Sequence, residues 1–147
     1  MSKAKTLRLD EFLCFEVYSA NHAFNRVYQP LLAKLNLTYP QYLVMVLLWE
    51  RDSQTVGELG ERLSLESNTL TPLLKRMETL GYIKRSRDLA DERRVHVRLT
   101  ESGQTLRAKA LHIPGCILAA SGLDARAAKQ LMKGIATLRR MLGNYNP

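Results

Sequence analysis

The sequence predicts a mainly α-helical fold with one small β-wing, and three observations carry that expectation. Apolar residues recur at helical spacing over long stretches near both ends of the 147-residue chain. A T-x-x-E helix start at Thr55 opens two short amphipathic segments that stop at Gly81. Val95, Val97 and Leu99 then alternate with His96 and Arg98, the period of a half-buried strand. The length fits a single domain, large enough to bury a core without staples. With 46% hydrophobic and 24% charged residues, collagenous, low-complexity and wholly disordered readings are excluded.

From Leu9 to Leu35, Leu9, Phe12, Leu13, Val17, Ala20, Phe24, Val27, Leu31, Leu32 and Leu35 fall near a 3.6-residue period. Asp10 is the expected N-cap, and Pro30 is expected to bend or end this segment. A second helix is expected near Thr38-Tyr39-Pro40, where a cap residue is followed by an early proline. Its body, Tyr42 to Trp49, is apolar nearly all round and should be buried. Thr55 and Glu58 form a capping box, and Val56, Leu59 and Leu63 share the apolar face behind it. Ser64 and Leu65 make a turn. Leu70, Leu73, Leu74, Met77 and Leu80 continue as a second amphipathic helix from about Ser67. Pro72 falls in its second turn, so a kink or a loose first turn is expected. Gly81 ends that helix as a residue free to take positive φ. A hairpin follows, with Tyr82 to Arg87, a polar tip from Asp88 to Glu92, and the alternating strand after it. Thr100 caps a further helix, expected to break at Pro114-Gly115. Asp124 opens a last one, with Leu131, Ile135, Leu138 and Leu142 on its apolar side.

Composition narrows the function classes. The longest uncharged apolar run, Tyr42 to Trp49, is far below the roughly 18 residues of a membrane span. Met1 to Lys5 offer no apolar stretch for a signal peptide, so a cytoplasmic location is expected. Cys14 and Cys116 are too few for a secreted disulfide framework, and their spacing is not that of a zinc site. His22, His96 and His112 are scattered without ligand spacing, and no serine sits in a G-x-S-x-G turn. Neither a metal nor another cofactor is expected, and neither is an enzyme. Twenty-two Lys+Arg against 14 Asp+Glu leave a net charge of +8, which suits a polyanionic partner or, more plainly, a basic solvated surface.

Two helices, a tight turn and a basic hairpin make a winged helix-turn-helix, whose second helix enters the major groove of DNA. Its outward positions are Ser67, Asn68, Thr69, Thr71, Lys75 and Arg76. Short polar side chains at a helix start reach base edges, and the helix N-terminus favours phosphate. The wing adds Lys84, Arg85, Arg87, Arg93, Arg94 and Arg98. From Lys75 to Arg98 there are eight Lys/Arg against four Asp/Glu, so the surplus is concentrated there. The competing reading is a solvated helix pair that binds only protein, which would show no duplex binding at all.

These segments resemble the MarR family of bacterial transcription regulators. The resemblance is carried by Leu59-Gly60-Glu61-Arg62-Leu63, by Leu70 to Glu78, by Gly81-Tyr82-Ile83 and by the wing run Asp91 to Gly103, in which D-x-R followed by L-T-x-x-G is the most specific part. It covers nearly the whole chain. It implies a homodimer built from terminal helices, over about residues 8–50 and 101–147, with a winged helix-turn-helix over about 53–100. It further implies a double-stranded operator of two-fold symmetry, with Arg93 in the minor groove and Asp91 orienting the wing by pairing with an arginine. Asp91 as a plain turn residue is the alternative.

Cys14 lies four positions after Asp10, where a helix dipole lowers a thiol pKa while Asp10 and Glu11 oppose it. From spacing alone, a small buried hydrophobe is the simpler reading. Four of the six tyrosines, Tyr18, Tyr28, Tyr39 and Tyr42, fall in one stretch. Phenols can stabilise a thiolate by donating to it, or they can simply pack a dimer core. Tyr18 is at i+4 from Cys14 and shares its helix face. Tyr28 is 14 positions on, about 21 Å along an unbroken helix, too far for contact. A contact would need a broken helix or a second subunit.

Leu13-Cys14-Phe15, Tyr18 to Asn21 and Leu37 to Met45 look like the organic-hydroperoxide-sensing (OhrR-type) branch of that family. This resemblance implies a peroxidatic Cys14, with Tyr28 and Tyr39 of the opposite subunit bonded to it and Tyr18 as a weaker third. It implies that organic hydroperoxide is the inducer and that Cys116 traps oxidised Cys14 as an inter-subunit disulfide, which releases the operator. Cys116 as a silent buried thiol stays open. Two rivals also stand beside this reading: a MarR-type repressor released by a small aromatic ligand with Cys14 merely structural, and a thiol peroxidase in which Cys14 turns over.

Overall fold

The computed structural model describes residues 7–147, and the segment Met1 to Lys5 lies outside them. The chain divides into two compact units, Met1–Leu111 and His112–Pro147, described one at a time.

In the first unit a single 3-10 turn, Leu9–Glu11, precedes α1 (Leu13–Ala33). Asp10 is not the cap that the sequence suggests. Its two oxygens are taken by the Arg8 guanidinium at 3.1 and 2.8 Å, and the N-cap position is Phe12, whose side chain caps nothing. The helix thus starts later than expected, with Cys14 as its second residue. Pro30 does not end it either. The helix runs on to Ala33, where Leu32 is buried, with Leu35 buried just beyond. Burying two leucines, at about 1.5–3 kcal/mol each, offsets a proline penalty of about 3 kcal/mol.

The helix α2 (Tyr39–Glu50) begins in a capping box. The Thr38 hydroxyl accepts from Gln41 N–H and the Thr38 N–H donates to Gln41 Oε1, while Pro40 sits where no N–H is needed. As expected, Tyr42, Val44, Met45, Leu47 and Leu48 are buried. After β1 (Gln54–Thr55) come α3 (Val56–Leu63), α4 (Ser67–Thr79), β2 (Ile83–Arg87), β3 (Val95–Leu99) and α5 (Glu101–Ala110). The helix α2 is the central member, touching α1, α3, α4 and α5. Leu59, Leu70, Leu74, Met77, Ile83 and Val97 close the core around Val44, Met45 and Leu48.

The three strands form an antiparallel sheet in the order β1-β3-β2. Ile83 pairs with Leu99 and Arg87 with Val95, while Thr55 pairs with His96 on the other side of β3. Two-residue β1 has no readable period in sequence. It is held by buried Gln54, whose side-chain amide donates to the carbonyls of Leu47 and Arg51 at 2.7 and 2.6 Å.

The helix α3 opens as its capping box predicts, with Thr55 N–H to Glu58 Oε2 at 2.8 Å and Glu58 N–H to the Thr55 hydroxyl at 3.1 Å. Ser64 turns the chain in the left-handed region (φ 54°), and Gly81 does the same after α4 (φ 83°). The helix α4 starts at Ser67 and is continuous across Pro72, which supplies no N–H to the Asn68 carbonyl. Its first turn has no side-chain cap, since Glu66 at the N-cap makes no such bond. Thr100 caps α5 through Gly103 N–H at 3.0 Å.

In the second unit α6 (Ile113–Ser121) carries Pro114 in its first turn. The chain breaks at Leu111-His112, before the proline rather than at Pro114-Gly115, because a first turn needs no N–H from that position. The helix α7 (Ala125–Gly143) is capped by Asp124, which accepts from Ala127 N–H at 2.8 Å. Its apolar stripe is uncovered in the single chain, with Leu131, Ile135 and Leu142 all exposed. Leu9, Phe12, Leu13, Val17 and Phe24 of the first unit are exposed as well. Among the described residues no helix is long and apolar enough to cross a membrane.

Candidate functional site

The helix α4 is placed by Leu70, Leu73, Leu74 and Met77, all buried against the core. That fixes the opposite face outward, and Ser67, Asn68, Thr69, Thr71, Lys75 and Arg76 are all exposed on it. The Thr71 hydroxyl donates to the Ser67 carbonyl at 2.8 Å, and Arg76 Nε reaches the Pro72 carbonyl at 3.4 Å. With no side-chain cap at Glu66, the N–H groups of Ser67 and Asn68 remain donors for an anion, while that of Thr69 donates to the Glu66 carbonyl at 3.0 Å.

In the wing, Lys84, Arg87, Arg93, Arg94 and Arg98 are exposed. Arg85 differs from the other wing cations. It faces inward from β2, only 24% exposed, with Nη2 on Glu78 Oε1 at 3.3 Å and its backbone N–H on Glu78 Oε2 at 2.9 Å. The bond from that backbone N–H, helped by the guanidinium, holds the Glu78 carboxyl below the usual carboxylate range. Its charge thus ties β2 to α4 and is not offered outward. Asp91 does pair with an arginine: its Oδ1 accepts from both the backbone N–H and Nε of Arg93 at 3.1 Å each. The Arg93 side chain itself is 91% exposed.

The thiol of Cys14 is exposed in the first turn of α1, so it is not a buried hydrophobe in this chain. Tyr18, one turn on, is exposed and meets the edge of His22 with ring centroids 4.4 Å apart. Tyr28 lies toward the other end of the same unbroken helix, about 21 Å from Cys14 by helical rise. It packs instead on Tyr39 and Tyr42, at centroid distances of 4.8 and 5.9 Å. Burial, reinforced by Tyr39 and Tyr42, pushes the Tyr28 phenol up to about 12, and burial raises Tyr39 and Tyr42 as well. All three therefore stay protonated donors near neutrality. Tyr28 and Tyr39 open onto a cleft of about 520 Å³, lined also by His22, Arg26, Leu37 and Pro40. Cys116 is half-buried as the fourth residue of α6, in the second unit, and both thiols are free.

Two groups of polar partners escape sequence reading. Glu78 and Arg85 are seven apart across a helix-to-strand turn, and Asp88 and His96 are eight apart across a hairpin. The alternation over 95–99 puts His96 on the polar face of β3, but nothing local names its partner.

Residues 26–109 match the sequence family described as transcriptional regulator SarA/Rot. Over 145 residues the chain is 46% identical to the organic hydroperoxide resistance transcriptional regulator of Bacillus subtilis (strain 168), and 99% of each chain is covered. Among solved structures it is similar to AbfR of Staphylococcus epidermidis. The reduced form of AbfR bound to DNA superposes with a TM-score of 0.77 at 36% identity, over 92% of this chain and 94% of that one. The disulfide form superposes with a TM-score of 0.63, also at 36% identity, over 92% and 90%.

Proposed function

The chain belongs to the SarA/Rot family of MarR-like winged-helix transcriptional regulators, and from that premise we propose that it is a homodimeric repressor whose hold on DNA is broken by organic hydroperoxides. It is a DNA-binding transcriptional regulator. The finer reading assigns the helices of about 8–50 and 101–147 to subunit pairing and about 53–100 to a two-fold operator. The uncovered apolar residues of α1 and α7 support that division. The six outward residues of α4 read base edges and phosphates, and Arg87, Arg93 and Arg94 of the wing follow the adjacent backbone and minor groove.

The observation that carries the redox part is the exposed Cys14 thiol in an uncapped first helical turn. Thiol oxidation proceeds through the thiolate, the nucleophilic form of the sulfur. The thiolate attacks the outer oxygen of the hydroperoxide. The O–O bond breaks, Cys14 becomes a sulfenic acid, and the leaving alkoxide takes a proton to depart as an alcohol. Tyr28 and Tyr39 of the partner, with Tyr18 of the same helix, donate hydrogen bonds to the sulfur. Cys116 of the partner then attacks the sulfenic sulfur, expelling water and leaving a disulfide. The movement needed to bring the two Cα atoms within about 7 Å shifts the paired wings out of register with half-sites about 34–36 Å apart.

The test uses a duplex selected from a random-sequence pool by the reduced wild-type protein, with cumene hydroperoxide as inducer. Cys14→Ser is expected to keep the affinity and lose the release, and Cys116→Ser to abolish a dimer-sized band on non-reducing gels. Peroxide release that persists in Cys14→Ser ends the sensor reading. The aromatic cleft beside Tyr28 and Tyr39 favours one second reading, release by a small aromatic ligand. That reading predicts release of Cys14→Ser by an aromatic acid such as salicylate.

A further inference from the structure

The wing turn is held by a chain of hydrogen bonds that begins outside the D-x-R motif. Asp88 is the first residue after β2. Its Oδ1 accepts from the backbone N–H groups of Ala90 and Asp91 at 2.8 and 3.2 Å, closing an Asx-type turn. Its Oδ2 lies 2.7 Å from His96 Nε2. The Asp88 backbone N–H donates to the Arg94 carbonyl at 2.8 Å, and the Arg94 N–H donates to the Asp91 carbonyl at 3.0 Å.

The chemistry of this cluster fixes who donates. The His96 contact, followed by the Ala90 and Asp91 amides, holds the Asp88 carboxyl down at about 2. An ionised carboxylate only accepts, so the proton in the contact belongs to His96 Nε2. His96 is itself fixed in the middle strand, paired with Thr55 of β1 on one side and Ser86 of β2 on the other. The turn that Asp88 closes presents Asp91, which in turn grips Arg93 through Oδ1. Arg93 has almost no packing of its own, so its direction is set by this chain or by nothing. An isolated exposed ion pair is worth little. Here one carboxylate satisfies two backbone donors and a ring that is locked into a sheet, which fixes geometry as well as energy.

We propose that His96 and Asp88 are positioning residues for DNA binding, holding the wing turn so that Asp91 presents Arg93 to the duplex. This rests on the DNA-binding reading above and adds two residues that the wing motif does not contain. Neither touches DNA in this account. Their effect passes entirely through Arg93.

The test measures affinity for the duplex selected by the wild-type chain. His96→Ala and Asp88→Ala are each expected to weaken binding about tenfold, the worth of a charge-assisted hydrogen bond. His96→Gln, whose amide nitrogen can take the place of Nε2, is expected to recover most of that loss, which a merely space-filling role would not allow. In an Arg93→Ala background, Asp88→Ala is expected to cost less than about twofold, because its route is already gone. Wild-type affinity in His96→Ala and Asp88→Ala overturns the inference. So does no recovery in His96→Gln, or an equal loss with and without Arg93. A wild-type chain that selects no duplex overturns the DNA-binding reading itself, and this inference with it.

Discussion

The phenol of Tyr82 donates to the main-chain carbonyl of Leu35 at 2.9 Å, across 47 positions of sequence. Tyr82 stands immediately before β2, at the foot of the wing, and Leu35 lies just beyond the helix that carries Cys14. Removing the hydroxyl leaves a partly buried carbonyl without its donor. Tyr82→Phe is expected to lower the unfolding free energy by about 1 kcal/mol, read as a lower urea midpoint at unchanged slope.

The same foot of the wing sets a stricter limit one helix later. A side chain placed on Gly103 would collide with the Tyr82 carbonyl oxygen, which already accepts Thr100 N–H at 3.0 Å. Gly103 also accepts the Trp49 indole N–H at 2.9 Å. The obstacle is backbone held by Thr100, and Gly103 is itself held by Trp49, so neither side steps aside. Gly103→Ala is expected to destabilise by at least about 1–3 kcal/mol, more than Tyr82→Phe, in the same denaturation experiment.

Arg93 gives a prediction read by salt. Its side chain is almost fully exposed and pairs with Asp91. If it meets the duplex, Arg93→Ala weakens binding and reduces the slope of log affinity against log salt by about 0.9, one phosphate's worth. Arg85→Ala is expected to act differently. Arg85 is committed to Glu78, so its loss destabilises the fold and leaves the salt slope of the folded fraction unchanged.

Tyr28 gives a prediction read by alkali. Burial raises its folded pKa to about 12, against an ordinary value near 10 in the unfolded chain. A raised folded pKa contributes stability that is fully present below pH 10 and is lost as pH rises from about 10 to 12. An ultraviolet phenolate titration is expected to show a late fraction that shrinks, but does not vanish, in Tyr28→Phe, because Tyr39 and Tyr42 are raised too. A single transition near pH 10 for all six tyrosines would contradict the buried cluster.

Local chemistry was readable from sequence, and contacts across turns were not. Thr55 and Glu58 satisfy each other within four residues, and Gly81 takes the positive φ that its place after α4 requires. The six outward residues of α4 followed from the spacing of Leu70, Leu73, Leu74 and Met77. Asp10 misled because a cap residue competes with its neighbours, and Arg8 took both oxygens first. Pro30 does not end α1 because tertiary burial of Leu32 and Leu35 outweighs one missing hydrogen bond. Arg85 looked like the other wing cations because a two-residue period says which face a side chain takes, not what waits there. The Asp88–His96 contact depends on hairpin register, which is set only once both strands have formed.

The unbroken course of α1 bears on dosage. Cys14 and Tyr28 stand about 21 Å apart along one rod, so no single copy can bring its own Tyr28 to its own sulfur. Under the proposed pairing, the reactive centre exists only where two copies meet, and a solitary chain carries two half-centres that never close. Sensitivity to oxidant then scales with how many chains a cell keeps paired, and diluting the protein below its association threshold dulls detection before it frees the promoter.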